Sequence, residues 1–300
     1  MKDLYNEITT RIIEQLEQGI IPWRKPWAGV TDGAISHATG RAYSLLNQML
    51  LGKPGEYITF NQCKQEGGMV NKGAKAKMVV FWKMLVRGKK DENGAPVLND
   101  EGQPVPEYIP VLRYFQVFHI DDCTGIEPKY ADRLPEKPAD VNAAAEAALL
   151  DYVRRENISF VTEISDKAYY SPARDLIHLP TLEQYENAAD YYSTAFHEAT
   201  HSTGHATRLN RFSGADACAA FGSESYSKEE LVAEIGSACI LNELGIETPA
   251  TFKNSAAYIQ SWLRVLKDDK RMIISAAARA EKAVKLILNI SDDKQQADGE

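Results

Sequence analysis

Few cysteines, few histidines and no long apolar stretch set the first limits on this chain. Its four cysteines (Cys63, Cys123, Cys218 and Cys239) are scattered with no Cys-x-x-Cys pair. That spacing argues against a disulfide framework and against a thiolate zinc site, and suits reduced thiols in the cytoplasm. No apolar run approaches the roughly 20 residues that a bilayer span needs. The opening MKDLYNEITTRII carries acids among its apolar residues where a signal peptide would have a pure apolar core. A cytoplasmic protein with no membrane partner is therefore expected. No low-complexity tract or internal repeat stands out, and 44% hydrophobic with 25% charged residues is an ordinary globular composition. A length of 300 residues leads us to expect two domains, each burying its own core.

The net charge of −8 argues on its face against nucleic acid. Its distribution argues the other way. Residues 1–90 hold 14 Lys and Arg against 7 Asp and Glu, so the acidic excess falls wholly on the rest of the chain. Two modules with different partners would produce such a split.

Leu4, Ile8, Ile12 and Leu16 recur every four residues and predict an amphipathic helix that Gly19 and Pro22 end. The segment that follows sets Trp23 and Trp27 around Arg24 and Lys25. Aromatic faces beside cations are what binding of single-stranded DNA requires, although tryptophans here can equally anchor the helix to a sheet. Lys72, Lys75 and Lys77 cluster at a turn ahead of a compact apolar strand that ends in Trp82, a second stacking-and-phosphate candidate. Residues 88–108 are polar and rich in Gly, Pro and Asp, and read as a protruding loop or small hairpin. A polar, Pro-bearing stretch from Asp121 to Asp140 is the expected domain boundary. We place one domain at 1–130 and another at 138–291, with 292–300 as a frayed tail.

The second domain opens with an alanine-rich helix, then strands over 158–164, 168–171 and 176–180. They lead into Phe196-His197-Glu198-Ala199-Thr200-His201, a His-Glu-x-x-His pattern on a predicted helix. Spacing by four puts His197 and His201 on one face, within reach of a single Zn²⁺ at about 2.0–2.1 Å from each imidazole. Glu198, one step round the helix, is placed to act as general base toward water. One Zn²⁺ per chain is the expected cofactor. A third protein ligand is required. Glu230, on a helix predicted from Ser227 to Leu244, is the preferred choice, with Glu234 steadying a histidine from behind; Glu229, Glu234 and His205 are the alternatives. The bland reading of Glu230 is as the far partner of a Ser227 capping box. His205 falls just past the helix end and reads as supporting or facing substrate. Arg208 and Arg211 read as structural partners of nearby acids, and Tyr226 as a conceivable oxyanion donor.

Taken together, these residues resemble the ArdC family of antirestriction proteins carried by conjugative plasmids. The matching features are Leu-Glu-x-Gly-x-x-Pro-Trp-x-x-Pro-Trp from Leu16 to Trp27, Gly40-Arg-x-Tyr43 with Asn47, Thr59-Phe-x-Gln62, Gly67-Gly-x-Val-x-Lys-Gly73 and Trp82-Lys83. They continue through His197 to His205, Arg208-Leu-Asn-Arg211 and Glu229-Glu-Leu-Val-Ala-Glu234. The resemblance implies an α+β protein with an N-terminal single-stranded-DNA-binding domain and a C-terminal zincin-like metallopeptidase domain of unknown protein substrate. It also implies protection of incoming plasmid DNA from host restriction, with the restriction machinery as a further partner. The alternative is a DNA-binding protection factor whose zinc is structural or vestigial.

Overall fold

The computed structural model describes residues 3–24, 33–130, 140–212, 224–246 and 262–291. Helix α1 (Leu4–Glu17) starts where the Asp3 carboxylate caps the Asn6 amide, and its predicted stripe of Ile8, Ile12 and Leu16 is fully buried. Strands β1 (Ala34–Ser36), β2 (Gly55–Thr59), β4 (Lys77–Gly88) and β5 (Pro106–His119) form a sheet in the order β1-β2-β5-β4. Only the β1–β2 pair is parallel. Helix α2 (Leu45–Leu51) is tied to two of these strands by side-chain amides that imitate backbone. Asn47 exchanges two 2.8 Å bonds with the Val80 peptide, and Gln48 does the same with Ala34 at 2.7 and 2.9 Å. Thr59 and Gln62 form a capping box at the start of α3 (Phe60–Gln65). Strands β3 (Met69–Val70) and β6 (Cys123–Thr124) pair as a small separate ribbon.

The expected absence of a repeat is corrected at the tip of the β4–β5 hairpin. Asp91 to Leu98 and Asn99 to Pro106 are two tandem eight-residue units, and each builds the same turn. Asp91 Oδ1 accepts from the Asn93 and Ala95 amides, and Asn99 Oδ1 accepts from those of Glu101 and Gln103. Gly94 (φ +82°) and Gly102 (φ +77°) take the left-handed position in each. So short a unit repeats a turn, not a layer of core, and composition hides it.

Helix α4 (Val141–Arg155) is followed by β7 (Ser159–Glu163), β8 (Tyr169–Ser171) and β9 (Leu176–Pro180) in the order β7-β9-β8, with β9 parallel to β7 and antiparallel to β8. Helices α5 (Ala188–Ser202), α6 (Glu224–Leu244) and α7 (Met272–Ile287) follow in the second part, with a helical stretch over 262–268 ahead of the last. Among the described residues no helix is long and apolar enough to cross a membrane.

The two parts meet in one core. Ile8, Ile12, Leu16 and Trp23 belong to the same buried cluster as Phe196, Leu231, Ile235, Trp262 and Ala277. Polar ties cross the same boundary: Thr9 Oγ1 donates to the Lys270 carbonyl at 2.7 Å, and the first amide of α2, at Leu45, donates to Glu281 of α7 at 3.0 Å. Separate cores were expected from the length of the chain. The physical reason for the difference is that α1 and α2 offer apolar faces larger than the small N-terminal sheet covers.

Candidate metal centre

Helix α5 begins at Asn187, whose side chain accepts from the Asp190 amide, and its Phe196, Ala195 and Ala199 face is buried. Helix α6 lies against it closely enough that a Cβ added at Gly236 would stand 2.7 Å from Thr200 Cγ2. The glycine is what lets the two backbones approach. This approach brings His197, His201 and Glu230 together, with one ligand atom from each all within 4.8 Å of one another. His201 Nε2 lies 3.2 Å from His197 Nε2 and 3.3 Å from Glu230 Oε1, and His197 Nε2 lies 3.5 Å from Glu230 Oε2. Corners of a tetrahedron about a metal bonded at about 2.0–2.1 Å are roughly 3.3 Å apart, so the three side chains lie close to the spacing that a shared divalent ion needs.

Helix α6 starts at Glu224, one turn before the predicted start, so Ser227 lies inside it and cannot be its cap. The capping-box reading of Glu230 therefore fails. Glu229 is the acid found behind His201. Its Oε1 lies 3.5 Å from His201 Nδ1. Arg211 holds Glu229 in turn and also reaches the Thr200 carbonyl. Arg211 is only 5% exposed. Adjacent acids in Glu229-Glu230 differ by 100° on a helix, and that spacing is the signal that could have separated their roles. Glu234 lines a cleft of about 230 Å³ shared with His197, Glu230, Ser237 and Trp262. His205 does not join the cluster; it is half-buried and bonded to Thr207 at 2.8 Å. Arg208 pairs with Asp175 across the β8–β9 turn, as a structural partner should. The Tyr226 side chain lies outside the described residues.

Electrostatically the cluster favours a cation. Burial would raise the Glu230 carboxyl, but its bonds to His197 and His201 outweigh that and hold it far below the usual range. Burial would lower the His201 imidazolium, yet Glu229 and Glu230 together push it up to about 10. Glu198, 9% exposed, adds its own charge to the same corner.

The nucleic-acid candidates are treated unequally by the fold. Trp23 is fully buried, edge-on to Trp262 at 5.2 Å, so it is a core anchor and has no face for a base. The Arg24 side chain, Lys25 and Trp27 lie outside the described residues. Lys72, Lys75 and Lys77 are exposed. Trp82 is 49% exposed and tilts against Tyr5.

Residues 2–118 match the family described as the N-terminal domain of anti-restriction factor ArdC, and residues 147–279 match the zincin-like metallopeptidase family. The antirestriction protein ArdC of plasmid R388, solved metal-free, is 37% identical with a TM-score of 0.71, over 95% of this chain and 97% of that one. The chain belongs to the ArdC family. The Mn(II)-bound structure of R388 ArdC superposes with a TM-score of 0.72 at 35% identity, over 96% of this chain and 98% of that one. An uncharacterised Sinorhizobium fredii protein, y4eC, is 30% identical over 93% of this chain and 89% of its own length. Two Escherichia coli proteins named DNA primase TraC are 35% and 34% identical over 98% and 96% of this chain. This chain spans only 20% and 27% of those primases. Fold and family thus agree with the α+β, two-domain expectation.

Proposed function

We propose that this ArdC-family chain is an antirestriction factor that binds single-stranded DNA through its N-terminal part and hydrolyses a peptide bond at a zinc site in its C-terminal part. The observation that carries the second half is the convergence of His197, His201 and Glu230, one ligand atom from each lying within 4.8 Å of the others. Among the described residues no fourth His, Cys, Asp or Glu joins them, which favours a site that takes substrate over a closed structural one. Zn²⁺ bound there would polarise a carbonyl and ease loss of a proton from water. Glu198, adjacent to His197 and largely buried, would take that proton. Glu229 and Arg211 would fix the His201 ring so that Nε2 faces the site. R388 ArdC was solved with Mn(II), and two imidazoles with one carboxylate suit either ion, so the metal is part of the test.

Elemental analysis of the purified chain, with a fluorogenic peptide library as substrate, tests this reading. One zinc per chain and hydrolysis that Glu198→Gln abolishes without loss of metal is the expected result. Metal retained with no hydrolysis by wild type would favour the structural-zinc alternative.

A further inference from the structure

We infer that single-stranded DNA lies on one particular face of the β4–β5 hairpin, its bases extending the Phe81–Phe115 stack and its phosphates on Lys83 and Arg113. This rests on the reading of the N-terminal part as a single-strand binder and goes further by naming the surface.

Residues paired across antiparallel strands share a face, and faces alternate along each strand. Phe81 pairs with Arg113, Lys83 with Val111, Arg87 with Glu107 and Val79 with Phe115. The same face carries Lys77, so it collects every Lys, Arg, Asp and Glu of the two strands: four cations and one carboxylate. The opposite face, with Trp82, Met84 and Val86 beside Tyr108, has none. Solvation alone does not explain this division. The uncharged face is just as open, with Trp82 49%, Val86 61% and Tyr108 61% exposed.

On the charged face Phe81 and Phe115 lie nearly parallel, 8° apart with centroids at 4.9 Å, and are 37% and 55% exposed. Such a pair presents an aromatic surface of the kind on which any base stacks. Lys83 lies two residues along from Phe81 and Arg113 lies directly across from it. Glu107 is engaged by Arg87 at 2.8 Å toward the hairpin tip. Among the described residues neither Lys83 nor Arg113 has an ion-pair partner. Lys77, at the base of the same face, continues the cationic row to the Lys72 and Lys75 turn. Positive charge flanking stacked aromatics matches a flexible polyanion whose bases are free to splay, and a duplex would hide those bases.

The test is anisotropy of a fluorescein-labelled oligothymidylate with the full chain across a salt series. Phe115→Ala should weaken binding about 5- to 150-fold, as removal of one stacked base does, and Phe115→Tyr should restore it. Lys83→Gln with Arg113→Gln should lower the slope of log K against log salt by about 0.7 for each phosphate that is no longer neutralised. Trp82→Ala and Tyr108→Ala, on the other face, should bind as wild type. If Phe115→Ala binds like wild type, or Trp82→Ala is the damaging change, the face is wrong and the single-strand reading survives. If wild type shows no affinity even at low salt, that reading falls as well.

Discussion

Arg211 grips both carboxylate oxygens of Glu229, with Nη2 2.6 Å from Oε1 and Nε 3.1 Å from Oε2. The same carboxylate faces His201 Nδ1, which leaves Nε2 to point at His197 and Glu230. A histidine held from behind in this way keeps its ring angle and gains basicity as a ligand. Glu229→Gln keeps the shape and removes the charge, so metal affinity should fall about 10- to 100-fold with little change in fold. Competition with a chromogenic chelator reads this, and unchanged affinity would remove Glu229 from the site's support.

Gly236 and Thr200 set the distance between the metal-bearing helices. A methyl at Gly236 meets Thr200 Cγ2 at 2.7 Å and Oγ1 at 2.9 Å, whereas Thr200 Cβ is 3.4 Å away. Gly236→Ala should cost about 1–3 kcal/mol and weaken metal binding by parting Glu230 from the histidines. Adding Thr200→Ala removes both short approaches and should recover part of each loss. Thermal melts with and without metal, on the single and double variants, check the coupling.

Much of this was legible in the chain because local chemistry and tertiary use coincide. The stripe of Ile8, Ile12 and Leu16 became a buried face, and His197 and His201 share a helix face as their spacing implied, with Glu230, the preferred of four candidates, beside them. What sequence left hidden depends on residues far apart along the chain. Trp23 beside cations looks like a base platform, and only the arrival of Trp262 makes it core. Thr59, Gln62 and Asn47 stand out as motif residues, yet each serves a cap or a strand tie. That Glu229 faces His201 turns on which side of α6 meets α5, which periodicity alone does not state.

Trp23 offers a direct way to separate the structural role from the binding one. Its ring is fully buried against Trp262, and its carbonyl accepts from Asn242 of α6 at 3.3 Å. Trp23→Leu should lower stability by about 1–3 kcal/mol through poorer packing. Affinity of the folded protein for an oligothymidylate should stay within about twofold of wild type, since no stacked base is removed. A large drop in affinity with an unchanged melt would return Trp23 to the DNA-binding set.

Glu56 links the N-terminal sheet to the segment that leads toward the second part. Its carboxylate, 4% exposed, accepts from the Tyr130 amide at 2.7 Å and the Lys129 amide at 3.2 Å, and lies 2.5 Å from His37 Nδ1. Burial raises this carboxyl, but the two amides and His37 outweigh it, and its folded value lies below the ordinary one. The sign follows: the bonds stabilise the fold above the unfolded value of about 4.3, and that contribution is lost as pH falls through the lower folded value. Glu56→Gln keeps the size and removes the charge, leaving two amides and an imidazole with a weaker acceptor; it should cost about 1–3 kcal/mol at neutral pH. The variant should also melt with a shallower dependence on acid than wild type. Hydrogen exchange at Lys129 and Tyr130 locates the effect, and protection there that ignores both the substitution and acid would mean that Glu56 does not hold the segment.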